Sequence, residues 1–154
     1  MPFDLTEFLD PPTTAVLVSE CQQGVIGKEA PLEGLVRSIR DSGKLENIAR
    51  FLGAARAAGA KVYYCNVGND PDGWGDADNT PLRRRIAKTK GINKGSGMGE
   101  RSDAAKVVDE LNPRPGDIVI SRRHGMTSFY ESGLDNYLRN TGVKTVIFTG
   151  VSVN

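Results

Sequence analysis

The sequence predicts an α/β fold built on a parallel sheet. Short apolar, β-branched runs recur along the chain, too uniformly apolar to be strands with one wet face. Stretches with helical periodicity alternate with them. The runs stop at Gly, Pro, Asn and Asp, which punctuate rather than extend regular structure.

In chain order, residues 1–13 form an irregular leader ending in Pro11 and Pro12, and residues 14–19 (TAVLVS) read as a buried strand. Residues 20–27 leave the sheet, and a Gly/Pro-marked stretch runs to about Gly43. Leu45, Ile48, Leu52 and Ala55 recur at helical spacing, so a helix is expected over 44–58 with Gly59 as its C-cap. KVYYCNV (61–67) is the second strand. Residues 69–80 are turn chemistry, and 83–99 read as a long surface loop, first basic and then glycine-rich. Ser102 is placed to cap a helix over 103–111. A Pro/Gly turn leads into a third strand, 117–120. Leu134, Tyr137, Leu138 and Thr141 line one face of another helix, which Gly142 ends, and 143–150 is the fourth strand. The last strand lies so close to Asn154 that a doubly wound sheet would be left short of cover. The expectation is a single domain over 1–154, incomplete at its C-terminus.

Composition excludes several roles. The 154 residues fit one domain, with 38% hydrophobic and 25% charged residues. Twenty basic side chains against nineteen acidic ones give a net charge of +1, which argues against a polyelectrolyte partner. No apolar run approaches the roughly 18 residues of a membrane span, and the acidic N-terminus has no signal-peptide pattern. Two cysteines make no disulfide framework, so a reducing, cytoplasmic setting is expected. A single histidine, His124, excludes a His-rich metal cage. The alternate acids Asp70, Asp72, Asp76 and Asp78 lack the closing Glu of a calcium loop. Neither a metal nor a cofactor is expected. Arg83, Arg84, Arg85, Lys88, Lys90 and Lys94 form a basic run without aromatics to stack bases, so a solvated loop or a lid over an anion is the reading, not a nucleic-acid site. Gly95 to Gly99 follows no strand and lacks the spacing of a phosphate loop.

In a parallel sheet, functional residues gather at the carboxyl ends of the strands. Glu20 follows the first strand, where a partly desolvated carboxylate suits proton transfer; a capping role is the equal alternative. Arg122 and Arg123 follow the third strand. They point to opposite sides, so at most one of them faces Glu20. His124 reads more readily as a loop hydrogen-bonder than as a catalyst. Cys21 adjoins an acid and Cys65 lies in an apolar run, so neither reads as a nucleophile.

Taken together, the strand ends resemble the isochorismatase-like, or cysteine hydrolase, superfamily. AVLVSECQQGVIG resembles the family's "alLviDmQndF", and residues 99–154 resemble "G…ivdeL.P..gD.vi.K.r.saF..t.L...Lr..gv..viftGv". The resemblance implies a three-layer αβα, Rossmann-like fold with a mainly parallel sheet of order 3-2-1-4-5-6, its C-terminal strands missing from this chain. It implies hydrolysis of C–N bonds or, as in isochorismatase, of a vinyl ether, and assembly as dimers or tetramers. A second chain completing the sheet is a further expectation.

The family's Asp, Lys and Cys set is altered here. Glu20 stands at the Asp position. Counting back from Phe129 places Arg123 at the Lys position, and the Cys position would fall at 156, beyond Asn154. The chain also resembles a Cys-less branch marked by "ECQ.GV.G" and "GVSVN". The expected catalytic pair is therefore Glu20 as acid/base and Arg123 as its orienting cation, with water attacking. Gln22, Phe129, Val151, Ser152 and Asn154 are expected to contact a small, anionic substrate. A catalytically inactive binding or scaffolding relative is the alternative.

Overall fold

The computed structural model describes residues 4–28, 30–69, 81, 84, 102–123 and 127–152. Four parallel strands form one sheet in the order β3-β2-β1-β4: β1 Thr14–Ser19, β2 Lys61–Val67, β3 Ile118–Arg122 and β4 Thr145–Gly150. Helices α1 (Gln23–Ile26), α2 (Glu33–Asp41), α3 (Lys44–Ala58) and α4 (Leu134–Asn140) flank it. The predicted α/β class, the parallel sheet and its 3-2-1-4 order are all present.

Strand alternation distributes the core. Val16, Val18, Val62 and Tyr64 pack on one face with Ile26, Ile39, Ile48 and Leu52 from α1 to α3. Ala15, Leu17, Tyr63, Cys65 and Ile120 pack on the other with Leu134 and Leu138 of α4. Because both faces of β1 and β2 are covered, these strands need apolar residues at successive positions, which is why they read as continuous apolar runs. Each such side chain contributes about 1.5–3 kcal/mol on burial. α3 has the expected bounds and ends at Gly59, whose φ of 94° lets its N–H reach back to Arg56.

Two helical expectations are corrected. α2 lies within the Gly/Pro-marked stretch, for which no helix was expected, and Val36 and Ile39 supply its buried side. The helix expected over 103–111 is instead two 3-10 turns, Asp103–Ala105 and Asp109–Leu111. Ser102 does cap the first, its hydroxyl accepting from Ala105 N–H at 3.2 Å. The intervening backbone then pairs with residues 21–23: Gln23 N–H donates to Lys106 O, Val108 N–H donates to Cys21 O, and Val107 bridges Gln22. Two adjacent β-branched valines favour that extended link over a continued helix.

β4 pairs only with β1 among the described strands, and Phe148 on it is 54% exposed. No helix among the described residues is long and apolar enough to cross a membrane.

Candidate functional site

The carboxyl ends of β1, β2 and β3 meet at one place. Glu20 leaves β1 with φ 52°, a left-handed backbone that costs a non-glycine residue about 1–2 kcal/mol. Two hydrogen bonds hold it there: its N–H donates to Cys65 O at 3.0 Å, and its carbonyl accepts from Gln22 N–H at 2.9 Å. Strain of this kind gathers where a side chain must be aimed against the local alternation.

The carboxylate is aimed across the end of β2 at Arg122. Arg122 Nη2 donates to Glu20 Oε1 in an ion pair whose side chains are 4% and 13% exposed. Arg123, the expected partner, stands exposed one residue further on. The reason is the length of β3. It runs to Arg122, so alternation carries Arg122 to the buried side with Ile120 while Val119 faces out. The sequence held the signal. The family pattern places its Lys five residues after the Asp, and counting from Asp117 gives Arg122. Counting back from Phe129 gives Arg123, because the loop between carries one extra residue.

The other expected site residues fall into different surroundings. Gln22 is fully buried, and its amide is committed to main chain: Nε2 donates to Val67 O at 2.9 Å, and Oε1 accepts from Val67 N–H at 2.8 Å. It clamps the end of β2 and has no polar group left for a ligand. Phe129 is 44% exposed and packs against Phe148 at a centroid distance of 6.3 Å. Val151 is buried, and its N–H donates to Ser19 O at 2.9 Å. Ser152 is exposed with φ 56°, and its carbonyl accepts from the Ser19 hydroxyl. His124, Asn154, Asp70 to Asp78, Gly95 to Gly99 and the basic run apart from Arg84 lie outside the described residues.

Gly150 fixes how closely β4 approaches β1. Its φ is 112°, and a Cβ there would lie 2.4 Å from Ser19 O. Only glycine fits, so the turn carrying Val151 and Ser152 is pinned to the end of β1.

The two cysteines flank the site on opposite faces of the sheet. Burial pushes the Cys21 thiol up to about 12; a hydrogen bond from the Val151 main chain opposes this, and Glu20 adds to it. Burial also raises Cys65, against a hydrogen bond from Ser128 and the nearby charge of Arg122. Both remain thiols at neutral pH, the protonated form that does not attack carbonyls.

One residue of this region was missed in the sequence, Asn66. Asn66 is buried, donates from Nδ2 to Ala105 O at 3.0 Å and leaves Oδ1 without a partner among the described residues. Arg122 leaves Nε and Nη1 in the same condition.

Comparison with known proteins decides the family: the isochorismatase domain model matches residues 14–154. The chain belongs to the isochorismatase family. It is 35% identical over 159 aligned positions to the ureidoacrylate amidohydrolase RutB of Methylobacterium radiotolerans, covering 95% of this chain and 59% of that protein. It is 32% identical to the Methylorubrum extorquens protein of the same name, over 94% of this chain and 61% of that one. The chain thus spans about three fifths of the length of these relatives. Among solved structures, a cysteine hydrolase from Pseudomonas syringae pv. phaseolicola superposes with TM-score 0.67 at 25% identity, over 98% of this chain and 62% of that one. The N-carbamoylsarcosine amidase of Thermoplasma acidophilum superposes with TM-score 0.61 at 25% identity, over 90% and 67% of the two chains.

Proposed function

We propose that this chain is an isochorismatase-family hydrolase that cleaves a C–N bond in a small, anionic molecule of the ureido-acid kind. The observation that carries the proposal is the buried Glu20–Arg122 pair at the carboxyl end of the sheet, aimed by a left-handed backbone. Support for the bond type comes from relatives named for ureidoacrylate and from a structural neighbour named for N-carbamoylsarcosine.

In this reading Glu20 moves the proton and Arg122 orients it; the role expected of Arg123 passes to its neighbour. Water is the attacking group in this reading, as the resemblance to the Cys-less branch suggests; Cys21 and Cys65 themselves are buried thiols. Glu20 takes a proton from water as the water oxygen bonds to the carbonyl carbon. The carbonyl π pair moves to oxygen. When the C–N bond breaks, the leaving nitrogen takes the proton back from Glu20. Arg122 is not a proton donor in either step, because a guanidinium stays protonated.

The test is turnover of ureidoacrylate and a panel of ureido acids and amides by wild type and Glu20→Gln. A loss on the order of a hundredfold or more, with the fold intact, is the expected result. Turnover that survives the substitution would sink the proposal. A second reading, a binding relative without turnover, is favoured by the sealing of Arg122 Nε and Nη1 from solvent. Hydrolysis of any panel member excludes it. Cytoplasmic action and assembly as a dimer or tetramer belong to the same proposal, supported by the unpaired cysteines and the exposed Phe148 on β4.

A further inference from the structure

A cavity of about 900 Å³ opens among α1, α2 and α3, on the face of the sheet opposite α4. Neither Glu20 nor Arg122 lines it. Its wall is a ring in which each piece packs on or runs into the next: α1, α2, α3, the Asp109–Leu111 turn, the Asp103–Ala105 turn and α1 again. The volume lies within the range of small-molecule sites, roughly 300–1,000 Å³. The floor is apolar, made by Ile26, Val36, Ile39 and Val108 of the core on that face. The rim is charged, and its signs are sorted. Lys28, after α1, and Arg40, on α2, stand on one lip. Glu46, on α3, and Asp109 and Glu110, on the facing turn, stand on the other. All five are exposed, and among the described residues none forms an ion pair. Lys106 and Asp103, the remaining charges of the rim, neutralise each other at 2.6 Å.

We propose that this cavity binds a short apolar peptide with both termini free. Its carboxylate meets Lys28 and Arg40, its ammonium meets Glu46, Asp109 and Glu110, and its side chains lie on the apolar floor. The sorting of charge decides the class. A fatty acid or another lone anion is repelled by the acidic lip, and a lone cation by the basic one. An α-amino acid carries both charges on one carbon, so it serves one lip at a time. A tripeptide spans roughly 10 Å when extended, which parts its two charges across the floor. The lips give up no existing ion pair when such a ligand arrives. Ion pairs at an exposed rim are individually weak, so burial on the floor supplies most of the affinity and the lips supply the selectivity. The site lies apart from the pair at the carboxyl end of the sheet and is independent of the hydrolase reading.

Methyl NMR of the isoleucine-labelled intact protein tests the proposal, with the free tripeptide Ala-Leu-Ala as probe. Ile26 and Ile39 report on the cavity, and Ile120, on the other face of the sheet, is the control. Ile26→Val and Ile39→Val assign the two signals. The expected result is a saturable shift of both below about 10 mM peptide, with Ile120 unmoved. Acetylating the amine or amidating the carboxyl removes one terminal charge, and each should weaken binding about fivefold. In Lys28→Gln with Arg40→Gln the free and amidated peptides should bind alike, because the lip that tells them apart is gone. No shift up to the solubility limit of the peptide overturns the proposal. So does equal binding of the peptide capped at both ends, which would make the cavity an apolar groove without charge selection. The capped peptides are compared on the unaltered protein, so the test stands even where the double variant fails to fold. No turnover is measured, so failure of the hydrolase reading and failure of this one are read from different experiments.

Discussion

Two buried arginine–carboxylate pairs stand at opposite ends of the same sheet, and they are built differently. At the amino end, Arg56 grips Asp117 through two nitrogens, at 3.2 and 2.6 Å, and its Nη2 also reaches Tyr64 Oη at 2.8 Å. Asp117 accepts a further bond from Arg114 N–H, and Tyr64 donates to Leu111 O. At the carboxyl end, among the described residues, Arg122 makes a single bond to Glu20, keeps two nitrogens unpartnered, and meets a carboxylate on strained backbone. The first pair has partners beyond itself on both members and ties α3 to the entry of β3. The second holds unsatisfied capacity at the place where a parallel sheet binds its ligands. Saturation, more than charge or burial, separates the structural pair from the one proposed to be functional.

The largest effect on stability is therefore expected at the amino end. Arg56→Ala leaves Asp117 buried without its cation and should cost about 3–5 kcal/mol in urea unfolding. A cost under about 1 kcal/mol would break the contrast, since the pair would then be weak like an exposed one. At the carboxyl end the expectation reverses. Replacing both partners with apolar groups, as Glu20→Leu with Arg122→Met, removes a buried charge pair and two orphan donors. Stability should hold or rise by about 1–4 kcal/mol while turnover disappears. A double variant that unfolds would assign the pair a structural duty.

Alkaline pH sharpens the comparison through smaller effects. Cys21, near the site, is raised from an ordinary 9.0 to about 12, chiefly by burial, and Tyr64 at the other end is raised for the same first reason. A group that holds its proton more tightly when folded stabilises fully below its unfolded value and loses that contribution as pH rises toward the folded one. Stability should fall from about pH 9 upward, and Cys21→Ala and Tyr64→Phe should each flatten part of the slope. An unchanged slope in both variants would place the alkaline loss elsewhere.

Much of the fold was legible in the sequence because its signals are local. The strand at 14–19, the helix over 44–58 and its Gly59 cap follow from patterns within a few residues. One failure was tertiary in origin. The 103–111 segment carries a good cap at Ser102, yet Val107 and Val108 are drawn into pairing with residues 21–23, far away in sequence. α2 was legible but missed: Leu32, Leu35, Val36 and Ile39 recur at helical spacing, and the Gly and Pro residues around them drew the reading away. At the site, Glu20 was legible from its place after β1. Its partner was legible too, by the count from Asp117, but was misassigned because a one-residue difference in the loop before Phe129 shifts a count made from that side. Gln22 was legible as special but not in its role: only the fold shows its amide bonded to β2.

The central claim is that Arg122, not Arg123, completes the site with Glu20. The most direct test is the turnover of Arg122→Gln beside Arg123→Gln, on whichever ureido acid or amide the wild type hydrolyses. The account predicts a loss on the order of a hundredfold or more for Arg122→Gln and a change within about threefold for Arg123→Gln. An equal or larger loss at Arg123, or a wild type inert across every C–N substrate, would contradict it.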